Sequence, residues 1–378
     1  MSSLVLLSSA ALASFLSPQD PVPPEGVTLP LQRALDAVVA TSQGRGGGVF
    51  RVSQSGHVLW QGASGERVRN GPPMTADAGF EIASTSKAMA AAAVLLLVED
   101  GLLDLDQPIG QILPPGTLPP NLLLIQGHDY GPDLTLRQCL SHTSGLPDYW
   151  YDPPFVLPGF NAFLRDYSRQ PQRFWTPQEI LPYVADLTPR FVPGTGWHYS
   201  DSGYLLAGFA IETVTGKSLR QFYRERIFDP LGMDHTWLRW RDADPAGLPL
   251  SHRYEDGWDM STKRHNSADW AGGGLASTTA DLERFLRGLA DGRLYRHPAT
   301  LRAMKSWVPT GEPGVEYGLG LYRAQLAGGR GWVWGHDGYG NAWMYYWPKH
   351  DVTFTGALNQ TENDWWPLVE LAAWLIDS

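Results

Sequence analysis

The sequence predicts an α/β (α+β) fold: one antiparallel sheet built from both termini and flanked by helices, with a mostly helical inserted domain. Strand patterns occur near the two ends of the chain, and helix signals crowd its middle. No period of roughly 20–50 residues repeats, which excludes solenoids and propellers.

Leu31, Leu35, Val38 and Val39 recur at helical spacing and predict a first amphipathic helix. Gly47–Ser53 and His57–Gly62 read as two strands joined around Ser55-Gly56, with Phe50 and Val52 on one face. Ala88–Val98 is wholly apolar, and a helix apolar all round is a buried one, so 86–100 is read as a core helix closed by Gly101. Helices follow near 178–187, 205–215, 218–227 and 279–290, between proline- and glycine-rich loops such as Pro114–Pro120. Strands return at 317–323, 332–335, 342–347 and 352–358. A last helix opens at Pro367, a favoured first-turn position, and buries Leu368, Leu371 and Leu375. These elements divide the chain into a sheet subdomain (26–85 and 300–376) and a helical subdomain (86–299), together one catalytic unit over 26–376.

Residues 1–25 read as a signal peptide and linker. Leu4–Leu16 is apolar, Ala11-Leu12-Ala13 offers a small-x-small cleavage site, and Pro18, Pro21, Pro23 and Pro24 form an extended connection. The first basic residue is Arg33, so the positive charge usual before such a segment is missing. The stretch is too short for a stable membrane span. A secreted or periplasmic protein is expected.

At 378 residues, 43% of them apolar and 18% charged, the chain has ample material for a core. A net charge of −10 disfavours nucleic-acid binding, which needs a positive field. One cysteine, Cys139, precludes an intrachain disulfide and a cysteine metal cluster. The ten histidines show no H-E-x-x-H or similar spacing, so neither a metal nor a cofactor is expected.

The chemistry is concentrated in three short clusters. Ser84-Thr85-Ser86-Lys87 stands directly before the apolar helix, and its spacing puts a hydroxyl and an amine on one helical face. A serine attacks a carbonyl only when something takes its proton, which makes that amine relevant. Tyr199-Ser200-Asp201 lies in a turn before a helix, where a phenol can project into a cleft. Gly335-His336-Asp337-Gly338 ends one strand before the next, and its glycines permit close backbone approach. His336 and Asp337 are strand neighbours on opposite faces, so they cannot form a serine-protease triad. There is no G-x-S-x-G elbow, and His142, in a serine- and glycine-rich turn, reads as structural.

In order and spacing these clusters resemble the three motifs of the serine β-lactamases and penicillin-binding DD-peptidases. The similarity is greatest to the branch holding class C β-lactamases, DD-carboxypeptidases, D-aminopeptidases and related esterases. Leu140–Pro147, Ile227–Met233 and Ala271–Thr278 extend it over about 30–376. The resemblance implies a β-lactamase/transpeptidase-like fold and a metal-free acyl-enzyme mechanism. In it Ser84 is the nucleophile, Lys87 and Tyr199 share the role of base, and His336 belongs to the third motif. The backbone N–H groups of Ser84 and Tyr339 would hold the oxyanion, with Gly338, Asp201 and Trp150 lining the substrate site. Trp150, with Tyr149 and Tyr151, is expected to form an aromatic acyl-side pocket.

Departures from the family pattern bear on substrate. His336 stands where β-lactamases carry lysine, and Asp337 where they carry a hydroxyl residue. A histidine is largely neutral at pH 7 and anchors a carboxylate weakly. Asp201, where asparagine is commoner, either favours a substrate amine or bonds its own turn. The expected reaction is hydrolysis of a small ester or of an amide or peptide beside a D-residue, such as one derived from peptidoglycan. The alternatives are a DD-carboxypeptidase, a β-lactamase, or a non-catalytic penicillin- or peptidoglycan-binding sensor.

Overall fold

The computed structural model describes residues 25–41, 46–154 and 161–378. The leader and proline-rich linker expected before residue 25 lie outside them. Helix α1 (Glu25–Ala40) leads into strands β1 (Gly47–Gln54) and β2 (His57–Gly65). Their turn has positive φ at both Ser55 and Gly56, the geometry that suits the strand twist.

The sheet is completed by β3 (Val308–Pro309), β4 (Val315–Tyr317), β5 (Tyr322–Leu326), β6 (Gly331–Gly338), β7 (Ala342–Trp347) and β8 (Val352–Leu358). Its order is β3-β4-β5-β6-β7-β8-β1-β2, and every neighbouring pair is antiparallel. Pro309 sits on the edge strand, where a missing N–H costs no ladder bond. β1 pairs with β8, Gly48 opposite Leu358, so strands from both ends of the chain join in one sheet, as the sequence predicts.

Period-two alternation divides the sheet between two cores. Trp343, Tyr345 and Trp347 of β7 join Phe50 and Val52 under α1 and the terminal helix α5 (Trp366–Asp377). Ala342 and Met344 face the other way, onto the buried helix α2 (Ser86–Glu99). α2 is covered in turn by α3 (Ser202–Thr215), while α4 (Thr279–Ala290) packs on β8.

Two expectations need correction. The strand expected over 317–323 is two strands, because Gly318–Leu321 turns tightly, with the Gly318 N–H donating to the Leu321 carbonyl. Gly320 there has φ +70, and a Cβ on it would lie 2.7 Å from the Lys87 carbonyl oxygen. A second sheet, from Phe80–Glu81, Leu275–Ser277 and Trp237–Leu238, was not foreseen; its strands of two or three residues are too short to carry a period.

Candidate active site

Ser84 sits in the short 3₁₀ turn Ala83–Thr85 that feeds α2. Ala83 has φ +43, a left-handed conformation costly for a residue with a Cβ. The turn is held by Thr85, whose hydroxyl donates to the Ala342 carbonyl at 3.2 Å. Ser86 accepts the Leu275 N–H on its hydroxyl. Ser84 is thus fixed between the main sheet and the small one.

One turn on, the fully buried Lys87 points its Nζ back at the Ser84 Oγ, 3.0 Å away. The same nitrogen donates to the Asp201 carboxylate and, at 2.9 Å, to the Gly272 carbonyl. Three acceptors around one nitrogen match the three donors of an ammonium group. Gly272 is needed for this approach: a Cβ there would stand 2.8 Å from the Asp201 Oδ1.

Tyr199 completes the cluster. Its phenol is hydrogen-bonded to Ser84, and its ring lies 4.9 Å from the Lys87 Nζ. Burial, and then the Asp201 charge, push the phenol well above its ordinary pKa, so it is neutral at rest. The turn bearing Tyr199 is pinned from both sides of Asp201. Ser200 and Ser202 both donate to the Pro147 carbonyl, and the Asp201 N–H donates to Asp148. His142 accepts the Ser200 N–H and stacks on Tyr199 with centroids 4.2 Å apart. Asp148, buried beside Asp201, is driven well above the usual carboxylate range by desolvation and by that charge.

His336 lies beneath the cleft rather than in it. It is fully buried, and its Nε2 meets the Tyr317 hydroxyl at 2.9 Å. Its Nδ1 faces the Asp337 carbonyl, which can only accept, so the proton is on Nδ1 and Nε2 accepts from Tyr317. Burial, and then the Lys87 charge, lower its pKa to about 3. It is an uncharged support, not a cation for substrate. Sequence spacing could not reveal this, because Tyr317 and Tyr322, which surround the ring, lie outside all three motifs.

Gly338 abuts the nucleophile turn: a Cβ would fall 2.3 Å from the Ile82 carbonyl oxygen and 3.0 Å from the Ser84 nitrogen. This close approach brings the backbone entering Tyr339 toward the Ser84 N–H. The Tyr339 side chain is 52% exposed and donates to Glu255 at the rim.

A cleft of about 630 Å³ opens over these groups, lined by Ser84, Tyr199, Asp201, Trp150, Tyr151 and Asp337 among others. Trp150 and Tyr151 therefore reach the cleft, whereas Tyr149 is fully buried behind them. Asp201 makes no side-chain cap in its own turn; its carboxylate accepts from Lys87 while the residue also lines the cleft. Asp269 also lines the cleft and went unnoticed in the sequence, where nothing distinguishes it from a surface acid. Burial, and then Asp201, push its carboxyl up to about 7. Among the described residues no group of three or more His, Cys, Asp or Glu is arranged to hold a metal.

A nucleophile turn, a buried lysine and a facing tyrosine on this sheet define a serine hydrolase of the β-lactamase type. The chain belongs to the Beta-lactamase family, whose model matches residues 31–372. It is similar to lovastatin esterase of Penicillium rubens, 30% identical over 295 residues, covering 71% of this chain and 70% of that protein. It is also similar to the unguisins hydrolase of Aspergillus campestris, 30% identical over 186 residues, covering 48% of this chain. The match takes in only 31% of that relative's length. Among solved structures, a D-stereospecific amidohydrolase from Streptomyces superposes with a TM-score of 0.76 at 29% identity. That superposition covers 90% of this chain and 97% of the other.

Proposed function

We propose that the protein hydrolyses small esters, or amides and peptides beside a D-residue, through an acyl-enzyme on Ser84. The observation that carries this reading is the contact of one buried nitrogen, Lys87 Nζ, with both the Ser84 Oγ and the Asp201 carboxylate. As the Ser84 oxygen bonds to the substrate carbonyl carbon, its proton passes to Lys87, which yields one of its own to Asp201. The neutral Tyr199 phenol donates its proton to the departing alcohol or amine, leaving a phenolate beside the lysine. Water then attacks the acyl carbon and gives its proton to Tyr199. The proton held by Lys87 and Asp201 returns to the Ser84 oxygen as the acid leaves. Backbone N–H groups of Ser84 and Tyr339 stabilise the oxyanion in both steps.

The same site argues against β-lactamase or DD-carboxypeptidase action as the main activity. Both act on substrates with a carboxylate near the scissile bond. Here the third motif supplies a buried neutral His336 and a carboxyl, Asp337, while the lining Arg253 is engaged by Glu81 at 3.5 Å. The esterase and the amidohydrolase among the similar proteins support the ester and D-amide classes. The apolar leader supports export, which fractionation of expressing cells would test.

Labelling with a fluorophosphonate and peptide mapping tests the reading. The adduct is expected on Ser84, with turnover of nitrophenyl esters that Ser84→Ala abolishes. Labelling elsewhere, or activity surviving Ser84→Ala, would sink it. A stable penicillin adduct without ester turnover would instead favour a sensor.

A further inference from the structure

A second cavity, of about 680 Å³, adjoins the cleft and shares Tyr322, Asp337 and Trp365 with it. Its other walls include Glu312, Tyr345 and Trp366, and among the described residues no lysine, arginine or histidine lines it. Asp337 follows His336 on β6 and faces the other side of the sheet, opposite Trp343. One of its carboxylate oxygens accepts from the Tyr345 hydroxyl at 2.6 Å. Beyond that bond and its own backbone amide, the carboxylate has no partner among the described residues. A carboxylate so enclosed lacks the cation that normally accompanies a buried charge.

The aromatic walls pack against one another. Trp365 stacks on Trp343 with centroids 4.8 Å apart and planes 8° from parallel, and lies 5.9 Å from the Tyr345 ring. Tyr322 is parallel to Tyr199 across the junction of the two cavities, at 6.5 Å. Electron-rich ring faces together with uncompensated carboxylates are the chemistry that recognises an organic cation.

We propose that this second cavity binds an ammonium group, primary or quaternary, carried by the substrate. Asp337 and Glu312 are its counter-charges, and Tyr322 and Trp365 its aromatic walls. The proposal rests on the Ser84 acyl-enzyme reading and adds to it a selection for cationic substrates. A substrate carboxylate is repelled from the same place, which joins the loss of the third-motif cation to a gain of function.

Two matched ester pairs test it. The phenylacetates of choline and of 3,3-dimethylbutanol share a shape and differ in charge on the leaving side. D-Phenylalanine methyl ester and methyl 3-phenylpropanoate differ in charge on the acyl side. In at least one pair kcat/KM is expected to favour the cationic ester by about tenfold or more, the equivalent of about 1.4 kcal/mol. That ratio is expected to fall severalfold in both Asp337→Asn and Glu312→Gln. Glu312 is exposed, so E312Q probes the cavity even if D337N folds poorly. Ratios near one in both pairs, or a wild-type preference unchanged by both substitutions, would overturn the proposal. Fluorophosphonate labelling of Ser84, run in parallel, separates the two levels. Labelled Ser84 with no charge preference overturns the cation site alone, and unlabelled Ser84 overturns both.

Discussion

Lys87 and Asp201, 114 positions apart in the chain, meet as a buried ion pair directly beneath the nucleophile. Each is the other's compensation in a place from which water is largely excluded. Removing one partner of such a pair typically costs about 3–5 kcal/mol, because the remaining charge is stranded. Asp201→Asn and Lys87→Met are each expected to lose stability on that scale in urea unfolding. The double variant Lys87→Met/Asp201→Asn should recover much of the loss. Additive losses in the double variant would show that the pair is not coupled.

Tyr199→Phe removes the phenol that is bonded to Ser84 and leaves the ring stacked on His142. Acylation by an alkyl ester, whose alkoxide must be protonated as it departs, is expected to slow by roughly 10²–10⁴-fold, the range for one general acid–base group, with little change in thermal midpoint. Stopped-flow acylation kinetics beside a thermal melt would distinguish this from misfolding. An acylation rate within threefold of wild type would remove Tyr199 from the chemistry.

The Asp269 carboxyl gives stability a pH dependence. Folding raises its pKa from 3.8 to about 7, so between those values the native state holds a proton that the unfolded chain releases. Its contribution to stability is therefore greatest below pH 4 and is lost as pH rises toward 7. Asp269→Asn removes the loss and is expected to be about 2 kcal/mol more stable than wild type at pH 8. A displacement of this size is worth at most about 4 kcal/mol before solvent screening. Urea midpoints for the two proteins should converge toward pH 4; parallel curves from pH 4 to 8 would contradict the assignment.

Gly338→Ala forces a methyl group against the Ile82 carbonyl. Either the end of β6 or the turn holding Ser84 must move, and on the proposed reading both carry an N–H that serves the oxyanion. Overpacking of this kind costs about 1–3 kcal/mol in stability. The acylation rate is expected to fall at least as far as loss of one oxyanion donor would lower it, about 10²-fold. Unimpaired turnover of nitrophenyl esters would show that the strand end can relax without harm to the site.

Much of this was legible in the sequence because it is written in local pattern. The apolar run after Lys87 could only be a buried helix, and strand patterns near both ends of the chain pointed to one sheet built from them. Ser84, Lys87 and Tyr199 could be singled out because their chemistry is unusual at their spacing. What escaped is set by contacts between distant segments. His336 looks like a site residue until Tyr317 is found to take its Nε2. Asp201 looks like a turn residue until Lys87 is found against it. Asp269 and Gly272 acquire meaning only when the Trp270–Gly273 helix is brought beside α2. Positive φ at Ala83 has no sequence signature at all, since alanine rarely adopts it.

The pairing of β1 with β8 has a consequence for the life of the chain. The strand end that presses Gly338 against Ser84 is made long after Ser84 itself, and the sheet joining them cannot form before then. Contacts of such long sequence separation form slowly, after local helices are in place. On the proposed reading, a chain lacking that strand carries Ser84 with only one of its two oxyanion donors. On the same reading, hydrolytic competence waits for the assembled sheet, and the seam between β1 and β8 is part of what confers it.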